Sequence, residues 1–142
     1  MQRSNKTLIN DFIEQIWNLR RFDTIQEFLH PDFIDHSLPD HLPTGKEGML
    51  KWIQAISFSF EHTTIIDDHV TENDKSVIKV RMKMKHVGLW RDIPATYKEV
   101  ETVGYRLYRL ADGKIIEHWA LIDGQSLENQ LQNAVHVCKV AE

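Results

Sequence analysis

Residues 101–132 read ETVGYRLYRLADGKIIEHWALIDGQSLENQLQ, and this stretch decides the fold. Runs rich in valine, isoleucine, leucine and aromatic residues flank Asp112-Gly113, a pair that supplies the positive backbone dihedrals of a two-residue hairpin turn. The pattern predicts two long antiparallel strands, followed at once by a helix that begins near Gln125 or Ser126.

The turn also predicts a register, because each pairing can be counted outward from Ala111 opposite Lys114. One side of the hairpin is then expected to face the interior and the other side to face outward. The interior pairs are Leu110 with Ile115, Tyr108 with Glu117, Arg106 with Trp119, Gly104 with Leu121 and Thr102 with Asp123. The outward pairs are Arg109 with Ile116, Leu107 with His118, Tyr105 with Ala120 and Val103 with Ile122.

Asp123 is the residue to explain, because it continues the interior side after Trp119 and Leu121. Burial disfavours a charged carboxylate and raises its pKa toward the range where it could exchange protons near neutral pH. The alternative is that Asp123 caps the helix that follows, a role that aspartate performs well at a chain reversal. From the residue pattern alone the cap is the commoner role.

Composition indicates one domain, residues 1–142, with 42% hydrophobic residues and enough chain for a proper core. A formal net charge of -4 argues against nucleic acid or an anionic membrane as a partner. Cys138 is the only cysteine, which excludes an internal disulfide and suits a reducing cytoplasm. No run of residues reaches membrane-spanning length.

Upstream, helical periodicity predicts a first helix from Ser4 or Asn5 to about Arg21 and a third helix that begins at Thr44 or Gly45. Between them a short second helix is predicted over residues 24–29, and Pro31 ends it. From Thr63 onward the period changes to two, which predicts strands over 63–70 and 76–87. Helices that precede a meander of strands indicate an α+β domain, with the helices covering one concave face of a curved sheet.

Such a sheet encloses a pocket at its open end, and Gly104 leaves part of one wall without a side chain. The opposite face carries apolar residues that need cover, so we expect a homodimer packed through the sheets. The residues on that face are Val103, Tyr105, Leu107, Ile116 and Ile122.

Several side chains are candidates to line the pocket. His86 shares a strand face with Met84 and could act as a proton donor, or it could be an ordinary buried histidine. His36 could lie at the pocket mouth, although a lone loop histidine is usually solvated. Arg106 could stack on Trp119 and neutralise an enolate oxygen, or pair with Glu117. Trp52 and Trp90 are further candidates for substrate contact.

Other chemistries lack support in the sequence. His36 and His41 have no third partner at a recognisable spacing and HEXXH is absent, so no metal site is predicted. The glycines form neither a Walker A loop nor GXGXXG, so no nucleotide cofactor is expected. What remains suits acid/base chemistry on a small carbon acid, or ligand binding without catalysis.

Three segments resemble the SnoaL-like polyketide cyclases, also called ester cyclase-like proteins, of the nuclear transport factor 2-like superfamily. They are His36 with Gly45-Lys46-Glu47-Gly48; His86 to Gly88 with Ile93 to Thr96; and Asp112 to Trp119 with Asp123 and Gln130-Leu131. The resemblance implies a curved antiparallel sheet that forms a cone over three N-terminal helices, a short C-terminal helix, a dimer or tetramer, and no cofactor.

The resemblance also implies a reaction, an intramolecular aldol condensation in which an aspartate that matches Asp123 acts as acid and base, assisted by His86 and His36. Where the family often has GIPPTG, this chain has Asp92-Ile93-Pro94-Ala95-Thr96-Tyr97, which predicts a bulkier pocket lip that disfavours a large flat polyketide. Two alternatives stay open: a non-catalytic small-molecule binding protein, and an epoxide hydrolase, which needs an Asp-Arg-Asp arrangement that Arg106 and Asp123 supply only in part.

Overall fold

The computed structural model describes the backbone of residues 3–140 and the side chains of residues 3–132. Within residues 3–140, the fold contains three α-helices and five strands, with one π-helical segment, Ile13–Asn18, and one 3-10 helix, Phe22–Glu27. The helices are α1 (Asn5–Phe12), α2 (Lys46–Ser59) and α3 (Gly124–Val140). The strands are β1 (Leu29–Asp35), β2 (Phe60–Glu72), β3 (Lys75–His86), β4 (Glu99–Ala111) and β5 (Lys114–Ile122).

The five strands form one curved sheet in the order β1-β5-β4-β3-β2. Strands β2 to β5 are antiparallel neighbours, as the period-two pattern predicts. Strand β1 pairs in parallel with β5 and was not predicted, because Pro31 indicated a turn. Proline is tolerated there because β1 lies at the edge of the sheet. The α+β class with N-terminal helices and a C-terminal helix is confirmed, and it corresponds to the nuclear transport factor 2-like cone.

The N-terminal helix begins as predicted, since the backbone N–H of Thr7 donates to Oγ of Ser4 at 3.2 Å. Beyond Phe12 the helix widens into the π-helical segment and ends at Asn18, short of the predicted Arg21. The backbone N–H of Leu19 donates to the carbonyl of Glu14, a five-residue step. This wide turn carries Trp17, which packs inward and is only 2% exposed.

The core lies between the helices and the concave face of the sheet. It contains Phe12, Ile16, Phe33, Ile53, Phe60, Ile78, Val80, Tyr108, Ile115 and Leu131, among others. Helix α3 packs across the end of β4, where Nε2 of Gln130 donates to the backbone carbonyl of Glu101 at 2.7 Å. Within residues 3–140, no helix combines the length and apolarity that a membrane crossing requires.

The register of the β4–β5 hairpin corrects the sequence prediction. Ala111 pairs with Lys114 and Leu110 with Ile115, as expected, but the next pair is Arg109 with Glu117. Ile116 is therefore an extra residue that bulges out of the ladder. Because side chains alternate with a period of two, one extra residue moves each later side chain of β5 to the opposite face.

Candidate functional site

A cavity of about 240 Å³ lies between the concave face of the sheet and the helices. Trp17 reaches it from the π-helical segment and Trp52 from α2, so two indole rings contribute to its walls. The remaining lining residues come from β1 and the segment after it, from β4, and from β5. They are Asp35, Ser37, Leu38, Arg106, His118, Ala120, Leu121 and Ile122.

Asp35, His118 and Arg106 form a hydrogen-bonded chain in the cavity wall. Nδ1 of His118 lies 2.9 Å from Oδ2 of Asp35, and its Nε2 lies 3.3 Å from Nη1 of Arg106. A guanidinium can only donate, so Nε2 is an unprotonated acceptor and Nδ1 carries the proton donated to Asp35. These three side chains are all less than 5% exposed.

The charge states follow from burial and from these neighbours. Burial alone would raise the pKa of Asp35, but the hydrogen bond and charge of His118, the backbone N–H of Ser37 and Arg106 together hold the pKa of Asp35 below its ordinary value. Burial lowers the pKa of His118 below 6.5, and Arg106 lowers it further, against the opposing effect of Asp35. At neutral pH the pair is therefore a carboxylate and a neutral imidazole.

Arg106 and Tyr108 complete the surroundings of His118. The guanidinium of Arg106 lies over the ring of Trp17, with its central carbon 4.3 Å from the ring centroid. The ring of Tyr108 stacks on that of His118 with centroids 4.7 Å apart. Burial raises the pKa of Tyr108 and lowers the pKa of Arg106. Nε of Arg106 and the hydroxyl of Tyr108 are both buried without a hydrogen-bond partner among the described residues.

Two of the side chains predicted to contact substrate, Arg106 and Trp52, do lie at the cavity. Asp123 does not. It is exposed, and its Oδ1 accepts a hydrogen bond from the backbone N–H of Ser126 at 2.9 Å, so it caps α3. The expectation that Asp123 is buried was wrong, because the bulge at Ile116 ends the predicted alternation before it reaches this residue.

His36 and Trp119 lie together on the outer face of the sheet instead of at the pocket. Their rings stack with centroids 4.7 Å apart, and Nε2 of His36 is 2.8 Å from Oε2 of Glu117. Glu117 also accepts a hydrogen bond from Nε of Arg109. Both alternatives for Arg106 were therefore wrong: it lies over the indole of Trp17 instead of Trp119, and the arginine that pairs with Glu117 is Arg109.

His86, Trp90 and Met84 also lie away from this cavity. His86 is fully buried, and its Nδ1 accepts from the backbone N–H of Thr96 at 3.1 Å. Its ring packs on Phe60, which in turn contacts Trp90. Met84 borders a larger depression of about 860 Å³. That depression is lined mainly by exposed charged and polar side chains, among them Glu61, Lys83, Lys85, Glu99 and Glu101, so it lacks the dry environment that acid/base chemistry requires.

Sequence analysis missed His118, Asp35 and Trp17 as site residues. His118 stood inside the motif that carries the family resemblance, but the regular register placed it outward. Asp35 fell in a segment interpreted as a turn, and Trp17 was assigned to the apolar stripe of a regular helix. Among the described residues, no group of three or more His, Cys, Asp or Glu side chains is arranged to hold a metal ion.

Comparison with known proteins identifies the family. Residues 7–131 match the family model described as SnoaL-like polyketide cyclase, and the chain belongs to that family. The chain is 22% identical over 108 residues to aklanonic acid methyl ester cyclase DnrD of Streptomyces peucetius, an alignment that covers 73% of this chain and 74% of the relative.

Solved structures show the same fold. TsrD from Streptomyces laurentii superposes with a TM-score of 0.78 at 25% identity, covering 88% of this chain and 92% of that one. IdmH from Streptomyces antibioticus superposes with a TM-score of 0.79 at 22% identity, covering 91% of this chain and 99% of that one.

Proposed function

We propose that the protein is a cofactor-independent enzyme, an aldol-type cyclase or isomerase that acts on a small carbonyl compound. His118 is the proton-transfer residue and Asp35 positions it. The observation that carries this proposal is the buried Asp35–His118 pair, with the unprotonated Nε2 of a neutral imidazole at the cavity wall. Membership of a polyketide cyclase family supports a reaction of this class.

In the proposed reaction, a substrate oxygen replaces Nε2 of His118 as the acceptor of the hydrogen bond from Arg106. The freed lone pair of Nε2 then removes a proton from carbon that neighbouring carbonyl groups have made acidic. The electron pair of the broken C–H bond delocalises onto the carbonyl oxygen as an enolate. The carboxylate of Asp35 stabilises the imidazolium that forms, through the hydrogen bond from Nδ1. The enolate carbon then attacks a second carbonyl group, and His118 returns its proton to the new alkoxide.

The two alternatives are weaker. An epoxide hydrolase needs two carboxylates around an arginine, whereas Asp35 is the only carboxylate among the described lining residues and Asp123 lies outside the cavity. A non-catalytic binding protein would use the same cavity, but it has no need for a neutral histidine held in one tautomer by a buried carboxylate.

The test is hydrogen–deuterium exchange into a panel of cyclic and acyclic 1,3-dicarbonyl compounds, followed by proton NMR. We expect His118→Gln to lower the enzyme-catalysed exchange by about 10²–10⁴-fold. His36→Gln and Asp123→Asn are matched controls that should stay close to the wild type. If Asp123→Asn abolishes exchange and His118→Gln does not, Asp123 is the base instead. Binding without exchange by the wild-type protein would support the non-catalytic alternative.

We also propose a homodimer packed through the outer face of the sheet. This face exposes apolar side chains on four strands, and covering them would remove apolar area from water. They are Ile34, Val77, Val103, Tyr105 and Leu121. We propose a cytoplasmic location as well, because a single cysteine suits a reducing compartment.

A further inference from the structure

We propose that the cavity selects a small planar anion, with a carboxylate or enolate oxygen held by Arg106, and that its ligand has one ring or two fused rings. A ligand of this kind would be the substrate of the proposed acid/base site, so its chemical role rests on that proposed function. The binding preference itself follows from charge and volume.

Arg106 carries a buried positive charge that its neighbours neutralise only in part. Its side chain is 4% exposed, and among residues 3–132 it forms no direct ion pair. Asp35 is the nearby negative charge, but its carboxylate already accepts from Nδ1 of His118 and from the backbone N–H of Ser37. The guanidinium donates instead to a neutral imidazole, an acceptor weaker than a carboxylate.

The guanidinium of Arg106 has donor capacity that the described residues leave unused. Nε of Arg106 is buried and has no acceptor among the described residues, and a buried donor without a partner is costly. Arg106 lines the cavity, so an anionic oxygen there could accept a hydrogen bond from the guanidinium and balance the buried positive charge. A neutral ligand of the same shape would leave the charge uncompensated.

The position of the anion site determines how far the acidic carbon of the ligand can lie from its anionic oxygen. Nη1 of Arg106 and Nε2 of His118 are 3.3 Å apart, so an oxygen held by the guanidinium lies next to the proposed base. The acidic carbon must then be separated from the anionic oxygen by only one or two bonds. This requirement describes a 3-oxo carboxylate, or a 1,3-dicarbonyl compound in its keto form whose carbonyl oxygen becomes the anion as His118 removes the proton.

The volume of the cavity limits the size of the ligand. Its volume is about 240 Å³. This lies below the range of about 300–1,000 Å³ that is typical of sites for drug-sized ligands. The walls include the indoles of Trp17 and Trp52, which favour a flat ring. A ligand with one or two rings fits this space, whereas a polycyclic polyketide exceeds it.

Isothermal titration calorimetry at pH 7 with three probes tests the proposal. 1-Naphthoate and 1-naphthamide have the same size but differ in charge, and 9-anthracenecarboxylate keeps the charge but adds a ring. We expect naphthoate to bind at least about tenfold more tightly than naphthamide and than the anthracene acid. Equal affinity for naphthoate and naphthamide would overturn the anion site, and equal affinity for both acids would overturn the size limit.

Variants separate this proposal from the proposed reaction. Arg106→Met should remove the preference for naphthoate, Arg106→Lys should keep part of it, and Arg109→Met, which removes a guanidinium from the outer face, should keep all of it. Loss of the preference in Arg109→Met but not in Arg106→Met would contradict the assignment. If Arg106→Met does not fold, Arg106→Lys and the wild-type comparison decide.

His118→Gln should keep the preference for naphthoate while losing deuterium exchange. A wild-type protein that prefers the anion but catalyses no exchange would refute the proposed reaction and leave the anion site standing. A wild-type protein that catalyses exchange but binds both naphthalene probes equally would refute only the anion site.

Discussion

The two faces of the sheet carry the same three chemical groups, a carboxylate, an imidazole and a guanidinium. Members of the two sets are close in sequence and lie on opposite faces because side chains alternate along a strand. The inner cluster is Asp35, His118 and Arg106, and the outer cluster is Glu117, His36 and Arg109.

Exposure to solvent gives these clusters different charge states. In the outer cluster the hydrogen bonds from His36 and Arg109 lower the pKa of Glu117, so the carboxylate is simply an ionised partner at the surface. In the inner cluster burial lowers the pKa of His118, which leaves a neutral base beside a carboxylate and a guanidinium. Equivalent substitutions on the two faces should therefore have unequal effects.

The largest difference is expected between Asp35→Asn and Glu117→Gln. Asparagine at position 35 cannot stabilise the imidazolium and permits the other tautomer of His118, so exchange should fall by about 10²–10⁴-fold. Glu117→Gln breaks an exposed pair and should leave the rate near that of the wild type. The measurement is deuterium exchange into the best compound of the panel. Equal losses in both variants would remove the distinction between the two faces.

The architecture could be predicted from the sequence because it depends on hydrophobic periodicity and turn residues. A single extra residue in a strand does not alter these patterns. The period-two runs, the Asp112-Gly113 turn and the Ser4 cap each specify local structure, and the structure confirms them. Whether a side chain of β5 faces the cavity depends on register, and the bulge at Ile116 shifts that register by one residue.

The composition of the hairpin gives no clear signal for this bulge, since Ile116 suits a regular strand as well. Prediction therefore assigned Trp119 to the interior and His118 to the exterior, the reverse of the structure. Asp35 could not be found because β1 contains Pro31 and pairs with β5, a partner distant in sequence. For Asp123, the residue pattern favoured the role of a helix cap, and the structure shows that contact.

A second difference between interior and surface concerns acid stability. Burial, assisted by Arg20 and Arg106, lowers the pKa of His62 from 6.5 to about 4. Between these values the unfolded chain binds a proton that the folded protein does not, so stability is full above pH 6.5 and falls by about 3 kcal/mol as the pH drops to 4. His118, whose pKa is also lowered, acts in the same direction.

Urea denaturation at a series of pH values measures this effect. His62→Gln keeps a partner for Ser57, whose Oγ lies 2.9 Å from Nε2 of His62, and should flatten the slope between pH 4 and 6.5. His36→Gln, on the outer face, should leave the slope in place. An unchanged slope in His62→Gln would show that other groups carry the acid sensitivity.

The smallest effect on activity is expected from a substitution in the proposed dimer surface. Tyr105 is exposed on the outer face of β4, so Tyr105→Glu should convert the dimer to a monomer with little change in exchange rate. Sedimentation velocity gives the oligomeric state, with Lys6→Glu, at an exposed position of α1 away from the outer face of the sheet, as a charge control. A wild-type protein that is already monomeric would contradict the dimer.

The proposed reaction requires that His118 is a neutral base with its proton on Nδ1. Nitrogen-15 NMR of histidine-labelled protein, with His118→Gln used to assign the signals, measures both the tautomer and the pKa. We expect an Nδ1–H imidazole at pH 7 with a pKa below 6.5, and a further decrease in that pKa in Asp35→Asn. An imidazolium at pH 7, or a neutral ring with its proton on Nε2, would contradict it.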